Sequence, residues 1–100
     1  MQSAPFSIST GNNVVIEGTA GYFIEIFGVV AKMGALCNLT VKSGSNTLMG
    51  PMPFVAGGDM DLPFSPSQAQ LRCGEGEDFI LNLTGVGASC GGVVFYELTL

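Results

Sequence analysis

The chain contains no histidine and no tryptophan, and its only cations are Lys32, Lys42 and Arg72. Each absence closes off a class of function. Without an imidazole, serine- and cysteine-based nucleophilic catalysis loses its usual general base, and no serine sits in a Gly-x-Ser-x-Gly turn. Arg72 beside Cys73 is too little to make that thiol a thiolate nucleophile. A structural zinc site is one ligand short, since Cys37, Cys73 and Cys90 have no histidine to join them. An odd number of cysteines without paired spacing also argues against a disulfide framework, so the three are read as free thiols acting as small hydrophobes or loop residues: Cys37, on an apolar strand face, is expected to be buried and unreactive, whereas Cys73 and Cys90 border glycine turns. Three scattered cations against eight acidic residues leave a net charge of −5. Docking on a phosphate backbone requires clustered Lys and Arg, so no nucleic-acid partner is expected. The longest apolar stretch, Tyr22 to Met33, carries Glu25 and Lys32 and is too short to span a bilayer; the N-terminus lacks a basic signal-peptide region. The expectation is a protein that is not an enzyme and uses no cofactor, no metal and no membrane.

What is present is a large apolar fraction on a small chain. Of 100 residues, 47% are hydrophobic, a further 15 are glycine and only 11% are charged, where about 25% charged is ordinary for a soluble domain. A single domain of this size buries roughly 60–70% of its unfolded surface and has much area left to cover. Too few charges are available to cover it, so part of the apolar surface is expected to lie against partner chains.

The dominant pattern is short runs of period-two alternation cut by glycine, proline and asparagine, the mark of a sandwich or barrel. Cys37, Leu39 and Val41 share one face of a strand, with Asn38, Thr40 and Lys42 opposite. Phe79, Leu81 and Leu83 likewise oppose Asn82 and Thr84. Further strands are predicted at Phe6 to Thr10, Asn13 to Gly18, Asn46 to Met49, Asp59 to Leu62 and Ala69 to Cys73. Tyr22 to Met33 has a helix-like stripe but is rich in β-branched and aromatic residues and contains Gly28, which predicts a long or bent strand. The prolines of Gly50-Pro51-Met52-Pro53-Phe54 exclude a central strand and suggest a crossing between sheets, a device repeated at Leu62-Pro63-Phe64-Ser65-Pro66. Val93 to Leu100 is apolar on both faces except at Glu97 and Thr99, as expected of a strand covered on both sides. The fold expected is all-β: a jelly-roll-like antiparallel β-sandwich of about eight strands in a single domain, 13–100, preceded by an N-terminal arm, 1–12.

Two acidic groups, Asp59 with Asp61 and Glu75 with Glu77 and Asp78, are candidates for calcium or acid–base work, but neither has calcium-loop spacing. They read as solvated turns that end strands. Asn38-Leu39-Thr40 and Asn82-Leu83-Thr84 match glycosylation acceptors and read as solvent-facing strand residues.

The order Val41-Lys42-Ser43-Gly44, Leu48-Met49-Gly50-Pro51-Met52-Pro53, Gly57-Gly58 and Leu62-Pro63-Phe64-Ser65-Pro66, then Gly76-Glu77-Asp78-Phe79-Ile80-Leu81-Asn82-Leu83 and Gly91-Gly92-Val93, resembles small β-sandwich virion proteins of tailed bacteriophages and prophages. It covers about residues 36 to 100. The resemblance implies a capsid decoration or cement subunit, commonly trimeric, on the virion surface, assembled in the host cytoplasm and bound to the major capsid protein. It carries no catalytic residue. The residues expected to meet the capsid are Pro5, Phe6 and Ile8 of the arm; those expected between subunits are Val93 and Phe95. A receptor- or glycan-binding module of a phage tail or fibre is the alternative, weakened because Tyr22 and Tyr96, the only tyrosines, both lie in strand-like runs. A non-viral interaction or sugar-binding sandwich is the third reading.

Overall fold

The computed structural model describes residues 1–65 and 67–100. Among them the chain forms nine strands: β1 (Gln2–Ser9), β2 (Gly11–Ile16), β3 (Phe23–Met33), β4 (Cys37–Ser43), β5 (Asn46–Phe54), β6 (Asp59–Leu62), β7 (Leu71–Arg72), β8 (Phe79–Thr84) and β9 (Ser89–Thr99). One antiparallel sheet runs β1-β9-β3-β6, with β7 also on β3; the other runs β2-β8-β4-β5. β6 and β7 pair with successive stretches of β3, Val29–Lys32 and then Glu25–Ile26. They are therefore one edge strand interrupted by residues 63–70. With that pair counted once, the eight strands change sheet at every connection except the β4–β5 hairpin, which is jelly-roll order.

The core is where the alternating faces meet. From the first sheet come Ile24, Ile26, Val29, Ala31, Met33, Cys90 and Val94; from the second come Ile16, Cys37, Leu39, Val41, Phe79, Leu81 and Leu83, all buried. The long third strand is bent as expected. Its pairing with β9 slips between Ile26 and Gly28, so one extra residue separates the inward set Ile24 and Ile26 from Val29, Ala31 and Met33. That bulge explains the helix-like stripe, because an inserted residue turns an even spacing into an odd one.

Three expectations need correction. Residues 1–12 are not a separate arm: Gln2–Ser9 pairs residue for residue with Tyr96–Ser89 and is the edge strand of the first sheet. Pro5 fits there because an edge strand needs no donor on its free side. The segment Gly50 to Phe54 is not a crossing but the second half of the edge strand β5, where Pro53 lies opposite Asn38. The crossing between sheets is the short stretch 55–58. At Gly50 φ is +100°, and a Cβ would stand 2.6 Å from the Leu39 carbonyl oxygen, so glycine is required for β5 to stay in the sheet. Lastly, Pro63 to Ser65 does not cross either. It begins the excursion from the edge strand, which returns to β3 through Ser65 N–H donating to Phe27 O (3.1 Å) and Gln70 N–H to Ile26 O (2.7 Å). Pro66 lies outside the described residues.

Candidate assembly surface

Side chains that the core does not use on the first sheet point to its outer face, and register places them in rows. Across β1, β9, β3 and β6, one row reads Pro5, Val93, Val30, Asp61 and the next Ser7, Gly91, Lys32, Asp59. In a third row Ser3 faces Phe95, which faces Gly28. Gly28 has no side chain, and Phe64 fills the space: a Cβ at Gly28 would lie 2.9 Å from the Phe64 Cα. The Phe64 and Phe95 rings meet edge to face with centroids 5.2 Å apart. Val30 and Phe64 are each 49% exposed.

Charge surrounds this apolar centre. On one side lie Lys32, Asp59 and Asp61. On the other, Glu97 and Glu25 are neighbours in register; the N-terminal amine meets Glu97 at 3.3 Å, and Arg72 approaches Glu25 at 4.0 Å with its guanidinium 4.0 Å above the Phe23 ring. An apolar centre within a charged rim is the anatomy of a protein–protein contact surface.

Val93 and Phe95 therefore lie where sequence alternation puts them, turned away from the core beside the buried Val94. Of the three arm residues, Pro5 is exposed on this same face, whereas Phe6 and Ile8 are partly buried and pack on the core. Pro5 and Phe6 occupy successive positions of a paired strand and so turn to opposite faces, and the three cannot act together as one apolar arm. Sequence reasoning missed Val30 and Phe64. Val30 hid in the run whose frame the bulge shifts, and Phe64 in a loop whose path depends on the glycine beneath it.

The thiols and acidic turns have structural surroundings. All three cysteines are buried, Cys73 and Cys90 as fully as Cys37, despite the glycine turns beside them. Burial raises the Cys37 thiol pKa and pushes those of Cys73 and Cys90 up to about 11, with Glu77 and Asp78 adding repulsion at Cys73 and Cys37 adding it at Cys90. Asp78 and Glu77 are not merely solvated turn residues. Gly18 N–H donates to Asp78 Oδ1 (2.6 Å), Ser43 O–H donates to Glu77 Oε1 (2.6 Å), and Ser43 Oγ accepts from Gly74 N–H (2.8 Å). They tie three loops together at one end of the sandwich. Among the described residues no group of three His, Cys, Asp or Glu side chains could hold a metal ion.

No family model, curated protein or solved structure matches this chain.

Proposed function

We propose that the chain is a structural virion subunit without catalytic activity, which self-associates as a trimer and binds the outer surface of a phage capsid to stabilise it. The observation that carries this reading is the apolar, charge-rimmed outer face of the first sheet, centred on Val30, Val93 and Phe95. Val30 and Phe64 are already half-covered and Val93 and Phe95 more than that, so hiding what the four still expose would contribute roughly 2–5 kcal/mol, at about 1.5–3 kcal/mol for each side chain when fully buried. Association costs about 4–15 kcal/mol in lost freedom, so one such patch holds a pair weakly, whereas a closed ring repeats the contact at three interfaces. The resemblance of residues 36 to 100 to virion proteins supports the choice of partner. Many copies binding an intact lattice would stabilise it by mass action.

The test has two stages. Light scattering at micromolar concentration should show a trimer that Phe95→Asp disrupts; a monomeric wild-type protein rejects self-association. Purified protein is then mixed with undecorated, expanded heads of a phage or prophage that encodes it. Saturable binding with a raised temperature of genome release supports the reading. Binding to tails or host cells but not to heads transfers the chain to the fibre-module class. Deleting Gln2 to Thr10 is not a usable control, because it removes the edge strand that carries Ala4, Phe6 and Ile8 onto the core.

A further inference from the structure

The bulge in β3 does more than shift the frame of a strand. Phe27, the residue it inserts, is buried, yet among the described residues it is the only buried hydrophobic side chain that stands outside the core cluster. The excursion at 63–70 is pinned along this stretch, with Ser65 N–H donating to the Phe27 carbonyl (3.1 Å) and Gln70 N–H to that of Ile26 (2.7 Å). A small apolar assembly therefore sits on the solvent side of the first sheet, separate from the core between the sheets.

Gly28 sets how closely the excursion approaches. Its backbone is not in the left-handed region, so conformation alone does not call for glycine there. The need is one of space: a Cβ would stand 2.9 Å from the Phe64 Cα, 3.2 Å from the Phe64 Cβ and 3.3 Å from the Leu62 carbonyl oxygen. Backbone atoms cannot swing aside as the end of a side chain can, so any other residue at 28 would push the start of the excursion off the sheet. With glycine in place, Phe64 comes down onto the middle of the outer face and meets Phe95 edge to face, while 49% of it stays exposed.

We infer that Gly28 is a positioning residue for self-association: it seats Phe64 against Phe95 as the central aromatic anchor of the contact between copies of this chain. The inference rests on the proposed self-association through this face and adds which residue organises it. Contact surfaces draw most of their binding energy from a few side chains, aromatic ones prominent among them, and rigid placement before the partner arrives lowers the entropy lost on binding. Phe64 meets both conditions. Its backbone is pinned at Ser65 and its ring is braced by Phe95, while half of its surface remains to be covered. Gly28 lies beneath Phe64 and has no side chain of its own, so it acts on a partner only through that ring.

The experiment measures the concentration of half-assembly by sedimentation velocity for the wild type, Phe64→Ala, Gly28→Ala and the double variant, with a melting curve for each. Phe64→Ala truncates a half-exposed loop side chain, so it should keep the fold and weaken assembly roughly tenfold or more. Gly28→Ala should weaken assembly to a similar degree, and the double variant no further than either single change, because both act on one ring. A Phe64→Ala protein that assembles like the wild type overturns the inference, as does a folded Gly28→Ala protein that does so. Losses that add in the double variant, or a Gly28→Ala chain that no longer melts cooperatively, also overturn it, since the glycine would then serve the fold rather than the ring. A monomeric wild type rejects self-association itself, whereas a trimeric wild type with an equally trimeric Phe64→Ala rejects the anchor alone, so the two failures are distinguishable.

Discussion

Replacing Ser43 with alanine should destabilise this domain more than the loss of one hydroxyl would ordinarily do. Ser43 is 2% exposed at the end of β4, and its hydroxyl holds the loop at 73–78 at two points. It donates to Glu77 Oε1 at 2.6 Å and accepts from Gly74 N–H at 2.8 Å, while Cys73 lies beside it. Ser43→Ala removes a hydrogen bond to a charged group, worth about 1.5–3 kcal/mol, and strands the Gly74 N–H, at about 1–3 kcal/mol. Glu77 is only partly buried and recovers some hydration, so the net loss should be about 2–3 kcal/mol. For a domain of this length each kcal/mol lowers the melting temperature by about 4–8 °C, which predicts a fall of roughly 10–20 °C by calorimetry or circular dichroism. Glu77→Gln keeps an acceptor in place and should cost about half as much. The double variant should lose less than the sum of the singles, because the two side chains share one bond. A Ser43→Ala protein melting within about 3 °C of wild type would refute the reasoning. It would mean that the loop at 73–78 is held by its backbone contacts, such as Gly76 N–H to Tyr22 O, rather than by this hydroxyl.

Two other predictions follow from buried groups. Thr99 Oγ1 is buried without a hydrogen-bond partner among the described residues, so the near-isosteric Thr99→Val should stabilise the fold by about 0.5–1 kcal/mol and raise the midpoint in urea; a lowered midpoint would show that the hydroxyl has a partner. The thiols should label slowly with iodoacetamide at neutral pH, all three alike and not Cys37 alone, and rapid native labelling of any one would contradict its burial. Since their folded-state pKa values are raised, their stabilising contribution is complete below about pH 9 and is lost as pH climbs toward about 11. Urea midpoints measured across that range should fall less steeply in Cys73→Ala/Cys90→Ala than in wild type.

Local pattern determined the class of fold and most of its inner surface. Cys37, Leu39 and Val41, and likewise Phe79, Leu81 and Leu83, alternate without interruption, and period two requires that each set share a face. The lack of histidine and of clustered cations bounded the chemistry for the same reason: side chains that are not in the chain cannot be supplied by folding. Tertiary structure decided everything that depends on register between distant strands. Only the pairing of Gln2–Ser9 with β9 shows that Phe6 and Ile8 serve the core, and only the bulge before Gly28 sets Val30 and Phe95 on one outer face. Proline ruled out a central strand from 50 to 54, yet it cannot by itself distinguish an edge strand from a crossing, because both leave its nitrogen unpaired. The joining of acidic loops at one end was equally invisible along the chain. Gly18 and Asp78 lie far apart in sequence, and they become neighbours only when jelly-roll crossings bring alternate connections to the same end.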